Sequence, residues 1–125
     1  FYVCSEKRKA FIEVKGVTLE SDNIARFPDA PTERGVKHLK ELIHCMQEGY
    51  EAYLFLVIQM KGVDRFEPNW ETHWEFGETL QEAEKAGVHI LAYDCLVEPD
   101  RMEIQDPVPV CLASDWKSVK RCAEQ

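Results

Sequence analysis

The sequence predicts an α/β fold in which a mixed central sheet is flanked by helices. Two nearly continuous apolar runs, 52–60 and 88–97, are typical of strands that are covered on both faces. Each run follows a segment with helical spacing, and a segment with period-two spacing precedes them all. Strands that alternate with helices favour parallel pairing through right-handed crossovers. We therefore expect a sheet with helices on both of its faces.

The chain opens with a predicted hairpin. Residues 1–4 are apolar, a polar turn follows, and residues 10–19 alternate in period two and are rich in β-branched side chains, as strands are. Residues 21–31 contain two prolines and two Asx residues close together, which indicates a loop.

Thr32 is the predicted N-cap of the first helix, because Pro31 precedes it and Glu33 lies in the first turn. Apolar residues at three-four spacing carry this helix to about Glu48, and Gly49 ends it. The first buried strand, 52–60, comes next.

The second half of the chain repeats the pattern of loop, helix and strand. Residues 61–69 read as a loop, and residues 70–86 contain a second amphipathic helix that stops at Gly87. After the strand at 88–97, the prolines of the tail give a short extended piece, and residues 115–123 add one or two helical turns. The predicted order is thus β-β-α-β-α-β.

Length and composition bound the class of protein. A chain of 125 residues suits one domain, 1–125, and its longest apolar run is far short of the roughly 20 residues that span a bilayer, so no membrane partner is expected. The five cysteines form no CxxC pair, which argues against a zinc ribbon or a thioredoxin-type motif. They are widely spaced and lie mostly inside apolar stretches, which favours buried, reduced thiols in a cytoplasmic protein.

The formal net charge of −8 is unevenly distributed. Residues 1–40 hold eight basic and six acidic side chains, whereas residues 41–125 hold seven basic and seventeen acidic ones. The negative net charge of the whole chain argues against generic binding of polyanions, but residues 1–40, with their excess of basic side chains, remain available for such binding.

Glu13 and Lys15 are the first candidates for chemistry. Two residues apart on a strand, their side chains project from the same face, between residues that should be core. In metal-dependent phosphodiester hydrolysis the glutamate would hold a divalent cation, and the lysine would position the water or steady charge on the phosphate. The alternative is an ordinary ion pair on a solvent-facing edge strand.

The start of the first helix is the second candidate region. It brings together Asp29, Glu33 and Arg34, and Gly35 is unusual there because glycine weakens a helix by about 1 kcal/mol relative to alanine. Glycine in a first turn allows the close approach of a backbone or a phosphate. A mostly cationic face follows, with Arg34, Lys37, His38 and Lys40. The alternative is a capped helix with a solvated face.

Gln59 is the third candidate, as the strongly polar member of a buried strand. It is either an internal hydrogen-bonding group or a site residue at the strand's carboxyl end.

Several of these stretches together resemble a known family. The segments are Ile12-Glu13-Val14-Lys15-Gly16-Val17-Thr18-Leu19, Ala25-Arg26-Phe27-Pro28-Asp29-Ala30-Pro31-Thr32-Glu33-Arg34-Gly35, Lys37-His38-Leu39 and Glu41-Leu42. They are similar to the signature of the sugar fermentation stimulation protein A (SfsA) family, and the similarity continues through Phe55–Gln59, Phe66, Pro68, Ala86-Gly87-Val88 and Leu91-Ala92-Tyr93.

The resemblance implies a restriction-endonuclease-like core of the PD-(D/E)xK type, preceded in the family by an amino-terminal OB-like domain. Phe1 matches the last residue of the family's Ser-Arg-Phe-Asp-Phe stretch. The first metal-binding aspartate would then lie upstream of Phe1, and the chain as given is expected to be defective in metal binding and inactive.

The resemblance also implies roles for individual residues. Glu13 corresponds to the family's second metal ligand and Lys15 to its catalytic lysine, with Mg²⁺ or Mn²⁺ as the cofactor and DNA as the partner. Asp29 would join the metal site and Glu33 would support it. Three residues are implied to approach the phosphodiester backbone: Arg34, Lys37 and His38. Lys40 extends the same cationic face. Gln59 corresponds to the family's glutamine position.

One departure from the family pattern lies before the second helix, where His73-Trp74 replaces the common Asp-Pro. Three functions remain open at this point: a metal-dependent DNase, a DNA-binding regulator of sugar metabolism that does not cleave, and a scaffold without a nucleic-acid partner. The oligomeric state, including a homo-oligomer, is also open.

Overall fold

Two sheets and two helices make up the computed structural model, which describes residues 2–4 and 9–114. The elements in chain order are β1 (Tyr2–Cys4), β2 (Lys9–Val17), β3 (Leu19–Ser21), β4 (Ile24–Phe27), α1 (Glu33–Gln47), β5 (Glu51–Ile58), β6 (Arg65–Pro68), α2 (Trp74–Lys85), β7 (His89–Glu98) and β8 (Arg101–Pro107). The mixed α/β class is confirmed. The segment 115–123, for which helical turns were predicted, lies outside the described residues.

The larger sheet has the strand order β1-β2-β5-β7-β8. Its three inner strands are parallel, and an antiparallel strand closes each edge. The hairpin predicted at the start of the chain is therefore confirmed as the β1–β2 pair. This arrangement places β2, which carries the first candidate residues, next to the buried strand β5.

The helices lie on one face of this sheet, so the expectation of helices on both faces is wrong. α1 packs on β5 and β2, and α2 packs on α1 and β6. The physical reason is the strand order: the crossovers β2-α1-β5 and β5-α2-β7 step in the same direction, and right-handed crossovers then put both helices on the same side.

A second sheet, of order β3-β4-β6, takes up parts of the two predicted loops. Asp22 and Asn23 have φ values of 55° and 64°, as a two-residue hairpin turn requires, and Ser21 pairs with Ile24 across it. The Asx residues thus join two short strands. In the later segment, Pro68 ends β6, a position that a residue without an N–H tolerates. The predicted order β-β-α-β-α-β therefore omits four strands, β3, β4, β6 and β8.

The boundaries of α1 agree with the prediction. The Thr32 hydroxyl accepts a hydrogen bond of 2.9 Å from the Gly35 N–H, and Gly49 has a φ of 90° beyond the last turn. The space at Gly35 is filled by protein: an added Cβ would lie 2.8 Å from Thr32 Cγ2 and 3.2 Å from Phe76 Cε2. Gly35 thus permits the close approach of its own N-cap and of α2.

The core lies between α1 and the larger sheet and extends to α2 and the second sheet. Its fully buried members include Val17, Leu39, Leu54, Leu56, Ile58, Phe66, Phe76 and Leu80. No helix among residues 9–114 has the length and apolarity needed to span a membrane.

A polar cluster ties the middle of β7 to the end of β8. Asp94 is buried, and its Oδ1 accepts hydrogen bonds from the Asp106 N–H at 2.9 Å and from Lys61 Nζ at 3.3 Å. Lys61 Nζ also lies 2.9 Å from Asp106 Oδ2, and this hydrogen bond is the main reason why the pKa of Lys61 is raised. The cluster holds the strands together where their register shifts.

The cysteines are not all reduced, so that prediction is wrong for Cys111. Cys45 and Cys95 are free thiols, whereas Cys111 is disulfide-bonded. Spacing along the sequence does not limit which cysteines a fold brings within bonding distance.

Candidate functional site

β2 presents Glu13 and Lys15 on the face of the sheet that α1 covers. The strand alternation predicted this shared face, and Lys15 Nζ lies 3.2 Å from Glu13 Oε1. The side chains are half-buried, with exposed fractions of 17% for Lys15 and 29% for Glu13. The pair is therefore neither a deeply buried ion pair nor a fully solvated one.

His38 of α1 completes this cluster from above the sheet. Its Nδ1 lies 2.8 Å from Lys15 Nζ and 3.1 Å from Glu13 Oε1. The sequence grouped His38 with the solvated cationic face of the helix, but its side chain is only 20% exposed. Because residues four apart share a helix face, the buried Leu42 is the signal that could have placed His38 toward the sheet.

A small cavity of about 180 Å³ opens beside the cluster. Its lining residues are Phe11, Ile12, Glu13, His38, Glu41, Leu42 and Cys45. Burial, followed by the Glu41 carboxylate, raises the pKa of the Cys45 thiol. The thiol therefore stays protonated at neutral pH and contributes a weakly polar wall rather than a charge.

Asp29 lies two residues beyond the carboxyl end of β4 and is exposed. Its Oδ2 accepts a hydrogen bond of 3.5 Å from the Thr18 hydroxyl. Within residues 9–114, no group of three or more His, Cys, Asp or Glu side chains is arranged to hold a metal ion. Glu13 fits as a single hard oxygen ligand, and the part of the chain that the structure describes does not supply a complete set.

Gln59 lies on the opposite face of the sheet from Glu13 and Lys15. A Cβ added to Gly16 would lie 2.8 Å from Gln59 Nε2, and the Cβ direction at Gly16 is opposite to that of Lys15. The Gln59 N–H donates to the Val17 carbonyl oxygen at 2.9 Å. The described geometry therefore gives Gln59 a place in the sheet and no contact with the cluster.

The remaining predicted residues lie on the outer side of α1. Arg34, Lys37, Lys40 and Glu33 are all exposed. Lys37, Lys40 and Glu33 line a depression of about 720 Å³ that includes His73 and Glu75 of the α2 end. This depression shares Glu41 and Cys45 with the small cavity, so the two adjoin across α1.

His73 is a residue whose role the sequence did not reveal. Its Nδ1 accepts a hydrogen bond of 3.1 Å from the Thr32 N–H, at the N-terminus of α1, while His73 itself begins α2. The departure from the common family pattern at His73-Trp74 thus falls where the two helices meet. The unusual His73-Trp74 pair is visible in the sequence. The residue that His73 contacts, Thr32, lies 41 residues away, so the sequence alone does not connect the two.

Comparisons with known proteins support one family throughout. Residues 1–101 match the model described as "Sugar fermentation stimulation protein RE domain". A sugar fermentation stimulation protein homolog from Clostridium beijerinckii is 62% identical over 112 residues, and one from Ruminiclostridium cellulolyticum is 58% identical over the same length. Each alignment covers 90% of this chain and 50% of the relative.

The fold comparison agrees with the sequence comparison. The solved structure of Pyrococcus furiosus SfsA in complex with Ca²⁺ superposes with a TM-score of 0.81 at 29% identity, covering 87% of this chain and 48% of that one. The chain spans about half the length of the curated relatives that it matches. It belongs to the sugar fermentation stimulation protein (SfsA) family and carries that family's RE domain.

Proposed function

We propose that this protein binds DNA and hydrolyses its phosphodiester bonds at a divalent-metal site that includes Glu13. The observation that carries the proposal is the cluster of Glu13, Lys15 and His38, in which a carboxylate and an ammonium group lie 3.2 Å apart beside a cavity. That P. furiosus SfsA was solved with Ca²⁺ supports a cation in this family.

The metal, Mg²⁺ or Mn²⁺, would supply Lewis-acid activation of the phosphate and of the attacking water. Glu13 would hold it with one carboxylate oxygen. The other ligands would come from water or from groups beyond the described residues; Asp29 is proposed among them, although its described contact is with Thr18. Lys15 would orient the water and steady the charge that develops on the phosphate.

DNA would approach across the outer side of α1. Arg34, Lys37 and Lys40 are exposed there and would neutralise phosphates, with Glu33 at the edge of the same depression. Three acidic residues also line it (Glu33, Glu41, Glu75), which disfavours tight binding without a cation. Gln59 is proposed only as support for the sheet. A cytoplasmic location accompanies this function.

The test is nicking of supercoiled plasmid by the protein at its full native length, with Mg²⁺ or Mn²⁺. Lys15→Ala is expected to lower the rate about a hundredfold or more, because a preorganised charge at the phosphate is lost. Lys85→Ala, at the exposed end of α2, is the matched control and should nick as the wild type does. Binding is measured separately by fluorescence anisotropy at low salt.

A second function is favoured by the incomplete ligand set of the described residues. If the wild type binds DNA and does not nick it with either metal, the protein acts as a DNA-binding regulator without cleavage. If it binds no DNA at low salt, where phosphate contacts are strongest, both proposals fail.

A further inference from the structure

Of the three contacts in the cluster, the shortest joins Lys15 Nζ and His38 Nδ1, at 2.8 Å. A lysine ammonium has donors and no acceptor. The contact is therefore a hydrogen bond only where Nδ1 carries a lone pair, which places the imidazole proton on Nε2.

The opposite tautomer conflicts with the same distances. A proton on Nδ1 would point toward Glu13 Oε1 at 3.1 Å, but it would also set two donors against each other at 2.8 Å. With the proton on Nε2, Glu13 and His38 both accept hydrogen bonds from the Lys15 ammonium. The 3.1 Å between His38 Nδ1 and Glu13 Oε1 then arises because both atoms contact the same donor. The geometry thus points to Lys15 as the donor to both residues.

His38 is also well placed to hold the lysine still. A lysine carries its charge on a flexible four-carbon stem, whereas His38 is mounted on α1, which is capped by Thr32 and packed through Leu39 and Leu42. A cation held by Glu13 would share the charge of the carboxylate, and the carboxylate would then attract the ammonium less. The imidazole acceptor remains.

We propose that His38 is a positioning residue, which accepts a hydrogen bond from Lys15 at Nδ1 and keeps the ammonium in place once Glu13 is bound to a cation. The catalytic part of this inference rests on the proposed function; the contact itself does not. His38 touches no reacting atom in this scheme, and its effect on the reaction passes through Lys15.

The first measurement needs neither metal nor DNA. In ¹⁵N-labelled protein, the histidine ring shifts report which nitrogen carries the proton, and the Lys15 ammonium signal reports its hydrogen bonds. We expect an unprotonated Nδ1 at His38 in the wild type, and a Lys15 ammonium signal that changes in His38→Leu. A protonated Nδ1 would overturn the inference, whatever the nicking assay shows.

The second measurement compares two substitutions in the nicking assay. His38→Leu removes the acceptor, and we expect kcat to fall about tenfold to a hundredfold with KM little changed, the range of a lost hydrogen bond to a charged group. His38→Asn places its side-chain oxygen near the position of Nδ1 and should restore kcat to within a few-fold of the wild type. Lys85→Leu is the control, since Lys85 is exposed at the end of α2 and lines neither of the two cavities.

The outcomes separate the inference from the proposed function. Equal losses of kcat in His38→Leu and His38→Asn would show that the imidazole acts by packing, and would overturn the positioning role. If the ring shifts are as expected but the wild type does not nick DNA, the catalytic part falls together with the proposed function. Thermal unfolding of each variant checks that a loss of kcat is not a loss of fold.

Discussion

Replacement of Gly35 by alanine tests how closely the two helices approach one another. In an exposed helix the change should stabilise the fold by up to about 1 kcal/mol, because alanine is the better helix former. At Gly35 the new Cβ would lie 2.8 Å from Thr32 Cγ2 and 3.2 Å from Phe76 Cε2. Overpacking of this kind costs about 1–3 kcal/mol.

Thr32 cannot yield without a further loss. Its hydroxyl accepts the 2.9 Å hydrogen bond from the Gly35 N–H, and loss of such an N-cap costs about 1 kcal/mol. Since the propensity gain offsets only part of these terms, Gly35→Ala is expected to lower the free energy of unfolding by about 1–2 kcal/mol. Urea unfolding followed by circular dichroism measures this, with an unchanged m-value as the sign that only stability has changed.

A double-mutant cycle identifies the atom responsible. Thr32→Ser keeps the hydroxyl and removes Cγ2, so alone it should change stability by no more than a few tenths of a kcal/mol. In the Gly35→Ala background, Thr32→Ser should raise the free energy of unfolding by about 0.5 kcal/mol or more, because the interaction energy between contacting residues is at least of that size. If Gly35→Ala instead stabilises the protein, the close approach of Thr32 and Phe76 to this helix turn is refuted.

Two further predictions concern charge. Because the hydrogen bond to Asp106 raises the pKa of Lys61 above its ordinary value of 10.5, its stabilising contribution should be complete below pH 10.5 and lost as the pH rises through the higher folded-state value. The difference in melting temperature between wild type and Lys61→Met should therefore shrink in strongly alkaline buffer. A difference that stays constant with pH would contradict this role of the Lys61 charge. Lys37→Gln should weaken DNA binding for every sequence and reduce the slope of log K against log salt by about 0.9, whereas Lys85→Gln should leave that slope unchanged.

The helices and the inner strands could be predicted because their signals are local. Thr32 and Gly49 mark the ends of α1 in any context, and period two placed Glu13 and Lys15 on one face. The turn at Asp22 and Asn23 was also visible, but loops and hairpin turns share the same residue types, and only the pairing of Leu19 with Arg26 distinguishes them.

The candidate site was predictable only in part, because much of it depends on contacts between distant segments. The partner of His38 lies 23 residues away on another element. Gln59 follows the last residue of β5, where strand alternation no longer fixes the direction of a side chain, so its position over Gly16 required the three-dimensional structure. The packing reason for Gly35 likewise lies in Phe76, on the other helix.

The second sheet has a consequence for the order of events during synthesis. The Phe66 N–H donates to Pro109 and its carbonyl oxygen accepts from Cys111, so the outer edge of β6 is paired by residues made much later. A nascent chain that has emerged only as far as β7 presents that edge unpaired, although Phe66 is fully buried in the finished fold. Ribosome-bound chains that end after β7 therefore still present this edge for strand pairing with a neighbour.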